Sequence, residues 1–244
     1  MRVVATRSAD ELVEYVERLA PRFEVVALPL LTAAPPDDAE VEALLDAVAH
    51  PGLTALWLAS ARAVAPVVAA LQTRGIAAPP AYTVGERTAA AARAAGLTAT
   101  SLGDDGLTAA RTFVARGLGG TLLAPRAAGG RDDALDLLAA SGATVIPAVA
   151  YRLEPRRPDD PALAAGLAAL PTAAAVLIFA PSQVAALAAH RALAGSPLRI
   201  AIGPTTAAAL AAHGAPAAAV APTPDPAGMA AALASVYPVG HELP

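Results

Sequence analysis

Short apolar runs alternate with alanine-rich, helix-favouring stretches along the chain. In the first half, this pattern predicts strands over residues 3–5, 23–31, 53–59 and 81–84. It predicts a helix after each strand, and these helices extend to residue 19 and over residues 39–49, 63–74 and 87–95. Strands that alternate with helices are typical of parallel sheets covered by helices, so the pattern indicates the α/β class.

Four sequence blocks of the first half recur in the same order in the second half. The pairs are residues 3–8 with 122–127, 24–35 with 144–155, 57–64 with 177–184, and 83–89 with 201–207. Their offsets are 119, 120, 120 and 118 residues, so the register hardly drifts. A period this long is not that of a solenoid. The repeat therefore predicts two similar α/β lobes.

The last pair of blocks has the pattern of an anion-binding turn. In each copy a glycine follows the strand, and a threonine-bearing turn opens an alanine-rich helix; the residues are Gly85, Thr88, Gly203, Thr205 and Thr206. Glycine lets a ligand approach the backbone closely, while free N–H groups and the helix dipole attract negative charge. The same pattern also fits a turn in which threonine only caps the helix, and both interpretations stay open.

The third pair of blocks supplies a second strand-to-helix turn, with Ser60 and Arg62 in one copy and Ser182 in the other. Ligands of α/β sheets bind beyond the carboxyl ends of the strands, so we expect these turns to lie beside the glycine–threonine turns. Two lobes that face one another are then expected to hold an anionic molecule between them.

Composition narrows the chemistry. The chain has 244 residues, no cysteine and a net charge of −4, and all 17 basic side chains are arginine. Schiff-base chemistry through lysine and sites or nucleophiles that need cysteine are therefore excluded.

The four histidines lack the spacing of metal ligands and the basic residues form no cluster, so neither a metal nor nucleic acid is expected. An early charged residue and the lack of a long apolar run favour a cytoplasmic protein without membrane contact, and the lack of an apolar seam favours a monomer.

Tyr151 follows an apolar run over residues 143–150 and takes the place that Leu31 has in the other copy of the repeat. A phenol near a strand end can donate a proton or a hydrogen bond in a cleft. It can equally be a half-buried packing residue, and the sequence leaves both interpretations open.

The ordered blocks resemble the uroporphyrinogen-III synthase family, the cofactor-free cyclases of tetrapyrrole biosynthesis. The matching segments are residues 4–7, 28–30, 58–64, 84–89, 149–151, 179–182 and 201–210. The last segment is the most specific, and the resemblance extends over residues 2–236. It implies two lobes joined by a two-strand linker, with the first lobe discontinuous. The implied boundaries are residues 1–33 and 156–240 for the first lobe, 37–149 for the second, and 34–36 and 150–155 for the hinge linkers.

The resemblance also implies the reaction. Hydroxymethylbilane, a small molecule with eight carboxylates, is dehydrated and cyclised to uroporphyrinogen III with inversion of the terminal pyrrole ring, in heme, siroheme and cobalamin biosynthesis. Loss of the hydroxyl creates an azafulvene cation, and a spiro intermediate lets the ring turn over. Because the substrate closes unaided to the uninverted isomer, the implied task of the enzyme is mainly conformational.

The resemblance assigns roles residue by residue. Tyr151 is the implied proton donor to the departing hydroxyl, and Thr88 and Thr206 are the implied carboxylate ligands. The further substrate-binding residues are Arg7, Ser60, Arg62, Gly85, Arg126, Ser182, Gly203 and Thr205. The chain departs from the family at Ala180, where a serine is usual, so one hydroxyl is missing. This departure motivates an alternative, a non-catalytic synthase-like module that binds or senses an anionic tetrapyrrole; a two-lobed receptor for another small anion is a third interpretation.

Overall fold

The computed structural model describes residues 1–130, 132–190 and 197–238. Its strands are β1 (Arg2–Ala5), β2 (Glu24–Ala27), β3 (Leu31–Ala34), β4 (Leu53–Leu58), β5 (Ala81–Val84), β6 (Ala99–Gly103), β7 (Thr121–Ala127), β8 (Thr144–Pro155), β9 (Ala175–Ile178), β10 (Leu198–Ala201) and β11 (Ala219–Val220). Its α-helices are α1 (Val13–Leu19), α2 (Asp38–Val48), α3 (Val64–Arg74), α4 (Glu86–Ala94), α5 (Gly106–Ala115), α6 (Asp133–Ala140), α7 (Ala164–Ala169), α8 (Pro181–Ala189), α9 (Pro204–Ala212) and α10 (Pro226–Val236).

The chain divides into two compact units. Unit 1 consists of Met1–Thr32 and Glu154–Pro244, and unit 2 consists of Ala33–Leu153. The chain therefore begins in unit 1, builds all of unit 2 and returns, and the two crossings fall in β3 and near the end of β8. Residues 239 and 240, which the sequence assigns to the first lobe, lie outside the described residues.

Unit 1 has a five-stranded sheet in the order β11-β10-β9-β1-β2, and every pairing in it is parallel. Successive residues of a strand point to opposite faces, and both faces are buried here. Val3 belongs to an apolar cluster with α1 and α10, while Val4 belongs to a second cluster with residues of α7, α8 and α9. This double covering explains why residues 3–5 of β1 and all of β9 are apolar without interruption.

Unit 2 has a six-stranded sheet in the order β3-β8-β7-β4-β5-β6, and the pairings from β8 to β6 are parallel. Helices again cover both faces. Leu56 and Leu58 pack in a cluster with α2, α3 and α4, whereas Trp57 packs in a cluster with α5 and α6. The predicted α/β class, with two parallel-sheet lobes and helices on both faces, is confirmed.

Most predicted elements agree with the structure to within one residue at either end, but the strand predicted over residues 23–31 is wrong. The chain forms two strands there, β2 and β3, separated by a turn in which Leu30 donates its N–H to the Leu28 carbonyl over 2.8 Å. Pro29 lies between these residues and has no N–H to give to a sheet ladder. Residues 150–155, expected as a hinge linker, continue strand β8.

The parallel sheets decide where the turns lie. Carboxyl ends of parallel strands meet at one edge of a sheet, and the loops and helix N-termini that follow them gather there. We call the region that follows β1, β9 and β10 the unit 1 edge. We call the region that follows β4, β5 and β7, together with the last part of β8, the unit 2 edge. Within the described ranges, no helix has both the length and the apolar character needed to cross a lipid bilayer.

Candidate functional site

The structure places the predicted site residues at these two edges. The unit 2 edge carries Ser60, Arg62, Gly85, Thr88, Arg126 and Tyr151. The unit 1 edge carries Arg7, Ser182, Gly203, Thr205 and Thr206. Neighbouring strands bring the residues of each edge together, because β8, β7, β4 and β5 are successive in one sheet and β10, β9 and β1 in the other.

Three helices that begin directly after a strand at these edges have no side-chain cap. The N-cap residues of α4, α8 and α9 are Gly85, Ala180 and Gly203, and none of them gives a side-chain hydrogen bond to the first turn. The first N–H groups of a helix have no partner within the helix, so these groups are free to bind an anion, and the helix dipole favours that.

Three other helices are closed by an aspartate. Asp37 accepts the Glu40 N–H at the start of α2, Asp105 accepts the Thr108 N–H at the start of α5, and Asp225 accepts the Gly228 N–H at the start of α10. A carboxylate in this position satisfies a free N–H and cancels the positive end of the dipole. Of the remaining helices, α1, α3 and α7 continue from a 3-10 turn and α6 follows Asp132, and none of their N-cap residues gives a side-chain hydrogen bond either. The helices α4, α8 and α9 differ from these because they begin at a glycine or an alanine directly after a strand.

The two glycines of the motif are not equivalent. Gly85 has a φ of +76°, a region that favours glycine. Gly203 is extended, with a φ of −177°, so any residue is compatible with its backbone. A Cβ atom at Gly203 would meet no atom within 4 Å, so this glycine leaves open space in front of α9.

Thr88 and Thr206 occupy the same position, the third residue of α4 and of α9. Both are buried, with exposed fractions of 6% and 2%. By contrast, Thr205 and Ser182 are exposed in the first turns of α9 and α8. In these first turns the threonine at the third position is thus buried, whereas the Ser182 and Thr205 side chains are accessible to a ligand.

Arg7 is held by two aromatic rings. Its guanidinium carbon lies 4.4 Å from the centroid of the Phe179 ring and 5.8 Å from that of Tyr15. The two rings meet edge to face with centroids 5.0 Å apart. Burial raises the pKa of the Tyr15 phenol, although the nearby Arg7 charge acts in the opposite direction. Within the described residues no carboxylate pairs with Arg7, so its charge is oriented and available at the unit 1 edge.

The arginines Arg62 and Arg126 of unit 2 make hydrogen bonds within their own turns, unlike Arg7, which stacks on aromatic rings. Arg126 contacts the Asp132 carboxylate and the Gly130 carbonyl within its own loop. Its charge is thus neutralised locally, which does not favour the expected role in substrate binding. Arg62 is exposed in the turn after β4, where the Ser60 hydroxyl accepts its N–H over 3.2 Å.

Tyr151 lies at a bulge in β8. Arg126 pairs with Val149 but Ala127 pairs with Tyr151, so β8 contains one extra residue at this point. The bulge places Tyr151 in the same buried cluster as Ala148 and Ala150, and the residue keeps an exposed fraction of 8%. Its hydroxyl has no hydrogen-bond partner within the part of the chain that the structure describes.

Sequence reasoning missed the ion pairs beside Tyr151. Arg152 donates to Glu40 over 2.9 and 2.7 Å and to Asp37 over 2.6 Å. The spacing of Asp37 and Glu40 is that of a capping box, which the sequence does contain. Their pairing with Arg152 depends on the sheet that brings residues more than 110 positions apart together, and no local pattern reveals it.

Sequence reasoning also missed Gln183. Its Oε1 atom accepts the Thr6 hydroxyl over 2.6 Å and the Phe179 N–H over 2.8 Å. The exposed fraction of Gln183 is 9% and that of Thr6 is 1%. The sequence contains one indirect indication of this role. Ala180, at the N-cap of α8, has no side-chain oxygen, so a polar side chain of the first turn, such as Gln183, is a candidate to accept hydrogen bonds there. In the described ranges, no group of three or more His, Cys, Asp or Glu side chains is arranged to hold a metal ion.

Comparison with known proteins gives one family. Residues 10–231 match the family model described as uroporphyrinogen-III synthase HemD. The uroporphyrinogen-III synthetase of Helicobacter pylori 26695 is 19% identical with a TM-score of 0.56, and the match covers 97% of this chain and 100% of that chain. A mutant uroporphyrinogen III synthase of Thermus thermophilus is 19% identical with a TM-score of 0.51 and 97% of both chains covered. At this identity, the structural likeness shows the fold. No curated protein sequence matches the chain.

The helices capped by aspartate lead to a prediction about the free energy of unfolding. Replacing Asp105 with alanine is expected to lower the free energy of unfolding at pH 7 by about 1 kcal/mol, because α5 loses its cap. Hydrogen bonds from the hydroxyl and N–H of Thr108 hold the pKa of Asp105 below its usual 3.8, so its contribution is present above that pH and is lost as the pH falls through the lowered pKa. Urea unfolding of both proteins at pH 7 and about pH 3 measures this.

The neighbouring exposed Asp104 is the matched control, because it gives α5 no cap. Asp104→Ala is expected to change the unfolding free energy little at either pH. A difference between wild type and Asp105→Ala that stays constant from pH 7 to pH 3 would contradict the assignment.

Proposed function

Since the chain belongs to the uroporphyrinogen-III synthase family, we propose that its reaction is carried by the groups gathered at the two edges. The family match extends over residues 10–231. The protein is a cofactor-independent lyase of tetrapyrrole biosynthesis and acts on a small-molecule tetrapyrrole substrate. The observation that carries the assignment of the site is that α4, α8 and α9, the helices of the repeated motifs, have open N-termini.

The first task in this proposal is to bind a polyanion. Hydroxymethylbilane carries eight carboxylates, whereas the chain has a net charge of −4, so attraction must be local. The open N-termini of α8 and α9 supply N–H donors at the unit 1 edge, and Arg7 adds a full positive charge there. The open N-terminus of α4 supplies donors at the unit 2 edge. Each unit thereby binds carboxylates of the substrate.

The exposed side chains of the motifs assist in this binding. Ser60 and Arg62 belong to the turn next to α4, and Ser182 and Thr205 lie in the first turns of α8 and α9. Thr88 and Thr206 are buried, and in our proposal they orient the first turn of each helix and present its N–H groups to the carboxylates. Arg126 orders its own loop beside Tyr151.

The second task is to release the hydroxyl. In our proposal, the Tyr151 phenol donates a proton to the hydroxyl oxygen as the carbon–oxygen bond of the hydroxymethyl group breaks. Water leaves, an azafulvene cation remains, and the phenolate later recovers a proton from the pyrrole carbon at which the ring has closed. Holding the chain in the conformation that leads through the spiro intermediate gives the inverted ring. The bulge in β8 and the pairing of Arg152 with Glu40 fix the strand that carries Tyr151.

We further propose that the enzyme acts as a monomer in the cytoplasm. The supporting observations are that the large exposed apolar side chains belong to different elements, such as Val13 in α1 and Val220 in β11, and that the composition lacks cysteine. Sedimentation at micromolar concentration and fractionation of cells measure the two points separately.

The activity itself is tested by supplying hydroxymethylbilane and separating the products after oxidation to the porphyrins. The expected product is the type III isomer, formed faster than spontaneous closure. Formation of the type I isomer alone, at the spontaneous rate, would contradict the proposal. Tight binding of the substrate without turnover would instead support the non-catalytic module.

Tyr151→Phe is expected to lower kcat about 100-fold, because the departing hydroxyl loses its proton donor. KM is expected to change little, since the phenyl ring keeps its place in the buried cluster. Steady-state kinetics with hydroxymethylbilane measure both constants. Tyr82→Phe is the matched control, because Tyr82 packs on Phe113 in the cluster with α5 and α6 on the opposite face of the sheet. An unchanged kcat in Tyr151→Phe would remove this residue from the proton transfer.

Gly203→Asp is expected to raise KM about tenfold or more. The extended backbone of Gly203 and the free space around it accommodate an aspartate, which would cap α9 and repel the substrate carboxylates. The melting temperature is expected to stay the same or rise, because the cap is favourable. Gly203→Ala fills the same space without a carboxylate and is expected to keep KM near that of the wild type. Equal KM values for both variants would show that α9 does not bind substrate.

A further inference from the structure

The side chain of Gln183 connects the turn after β1 with the turn after β9 at the unit 1 edge. It is the third residue of α8 and is more than nine-tenths buried. Its Oε1 atom accepts two hydrogen bonds, from the Thr6 hydroxyl after β1 and from the Phe179 N–H after β9. The N-cap residue of α8 is Ala180, which has no side-chain oxygen. Gln183 thus satisfies the N–H of the residue before the N-cap and leaves the N–H groups of the first turn of α8 without a side-chain acceptor.

These contacts fix the orientation of the amide group. A backbone N–H is only a donor, so the atom that faces Phe179 must be the amide oxygen and not the nitrogen. The amide nitrogen, with two N–H donors, consequently lies on the other side of the group. A rotation of the amide would place donor against donor at Phe179 and is disfavoured.

The amide nitrogen has no acceptor within the described residues. In the described part of the chain, two side-chain nitrogens are fully buried and have no hydrogen-bond partner, Trp57 Nε1 and Arg156 Nε. Gln183 Nε2 is not among these fully buried nitrogens. Its nitrogen therefore keeps some access to solvent, within a side chain whose exposed fraction is 9%. This places a rigid, unpaired donor in the first turn of α8, at the edge that also carries Arg7.

We infer that Gln183 binds a substrate carboxylate through its amide nitrogen, and that it is a binding residue of the reaction. This inference rests on the proposed function. The amide is already immobilised by Thr6 and Phe179, so a carboxylate that binds it does not have to order a flexible side chain. The donor lies in the first turn of α8, three residues after Ala180, which has no side-chain hydroxyl.

Two variants of Gln183 separate binding from a structural role. Gln183→Glu keeps an oxygen for Thr6 and Phe179 but replaces the donor with a negative charge. Gln183→Met has similar length and removes donor and acceptor together. We expect KM for hydroxymethylbilane to rise several-fold in Gln183→Met and at least about tenfold in Gln183→Glu, with kcat within about threefold of the wild type.

A purely structural glutamine would give the opposite order. In that case Gln183→Glu would behave like the wild type, because its carboxylate accepts the same two hydrogen bonds, and only Gln183→Met would be impaired. Thr6→Val serves as the structural control: it removes one partner of Oε1 and leaves the donor in place, so we expect a lower melting temperature with KM nearly unchanged. Gln72→Glu, at an exposed position of α3, adds the same charge away from the edge and is expected to match the wild type.

The outcomes are distinct. A KM order of Gln183→Glu above Gln183→Met above wild type, with Thr6→Val close to wild type, supports the inference. Wild-type KM in Gln183→Glu, or a rise in Thr6→Val equal to that in Gln183→Met, overturns it. A wild-type protein that forms only the type I isomer would instead overturn the proposed function, and the inference with it.

Discussion

The first turn of a helix leaves backbone N–H groups that need partners, and the rest of the site depends on how this chain provides them. Aspartates close α2, α5 and α10, while α4, α8 and α9 begin at a glycine or an alanine. An uncapped helix start costs stability, of the order of 1 kcal/mol against a good cap. An anionic ligand that accepts hydrogen bonds from these three helix N-termini would compensate for that loss of stability.

The two units share this design but differ in charge. In unit 1, Arg7 is stacked on Phe179 and Tyr15, with no carboxylate partner among the described residues. In unit 2, the charges of Arg126 and Arg152 are matched by Asp132 and by Asp37 and Glu40. In our proposal, unit 1 therefore contributes the unpaired charge of Arg7 to substrate binding, and unit 2 contributes the buried phenol of Tyr151. The two units thus have similar backbones but different side chains at their edges.

Periodicity and the internal repeat were sufficient for the α/β class, most element boundaries and the glycine–threonine turns. They failed at Pro29, where apolar residues continue through a break in the strand because Leu28 and Leu30 are fully buried on either side of it. They also could not reveal that Thr88 and Thr206 are buried, since local sequence does not state which side of a helix meets the sheet. The contacts of Gln183 with Thr6 and of Arg152 with Glu40 join distant segments, and only the assembled sheet brings them together.

The discontinuity of unit 1 has a consequence for synthesis on the ribosome. All of unit 2 lies in one uninterrupted stretch, Ala33–Leu153, so its sheet is complete in the nascent chain before β9 has been made. Strand β1 emerges early, but its neighbour β9 and the helix that carries Gln183 arrive more than 170 residues later. During that interval β1 and the apolar residues of α1 have no finished core to join. The segment of β1 and α1 therefore has to wait for its packing partners until unit 2 has been made, and a molecular chaperone is expected to shield it during that time.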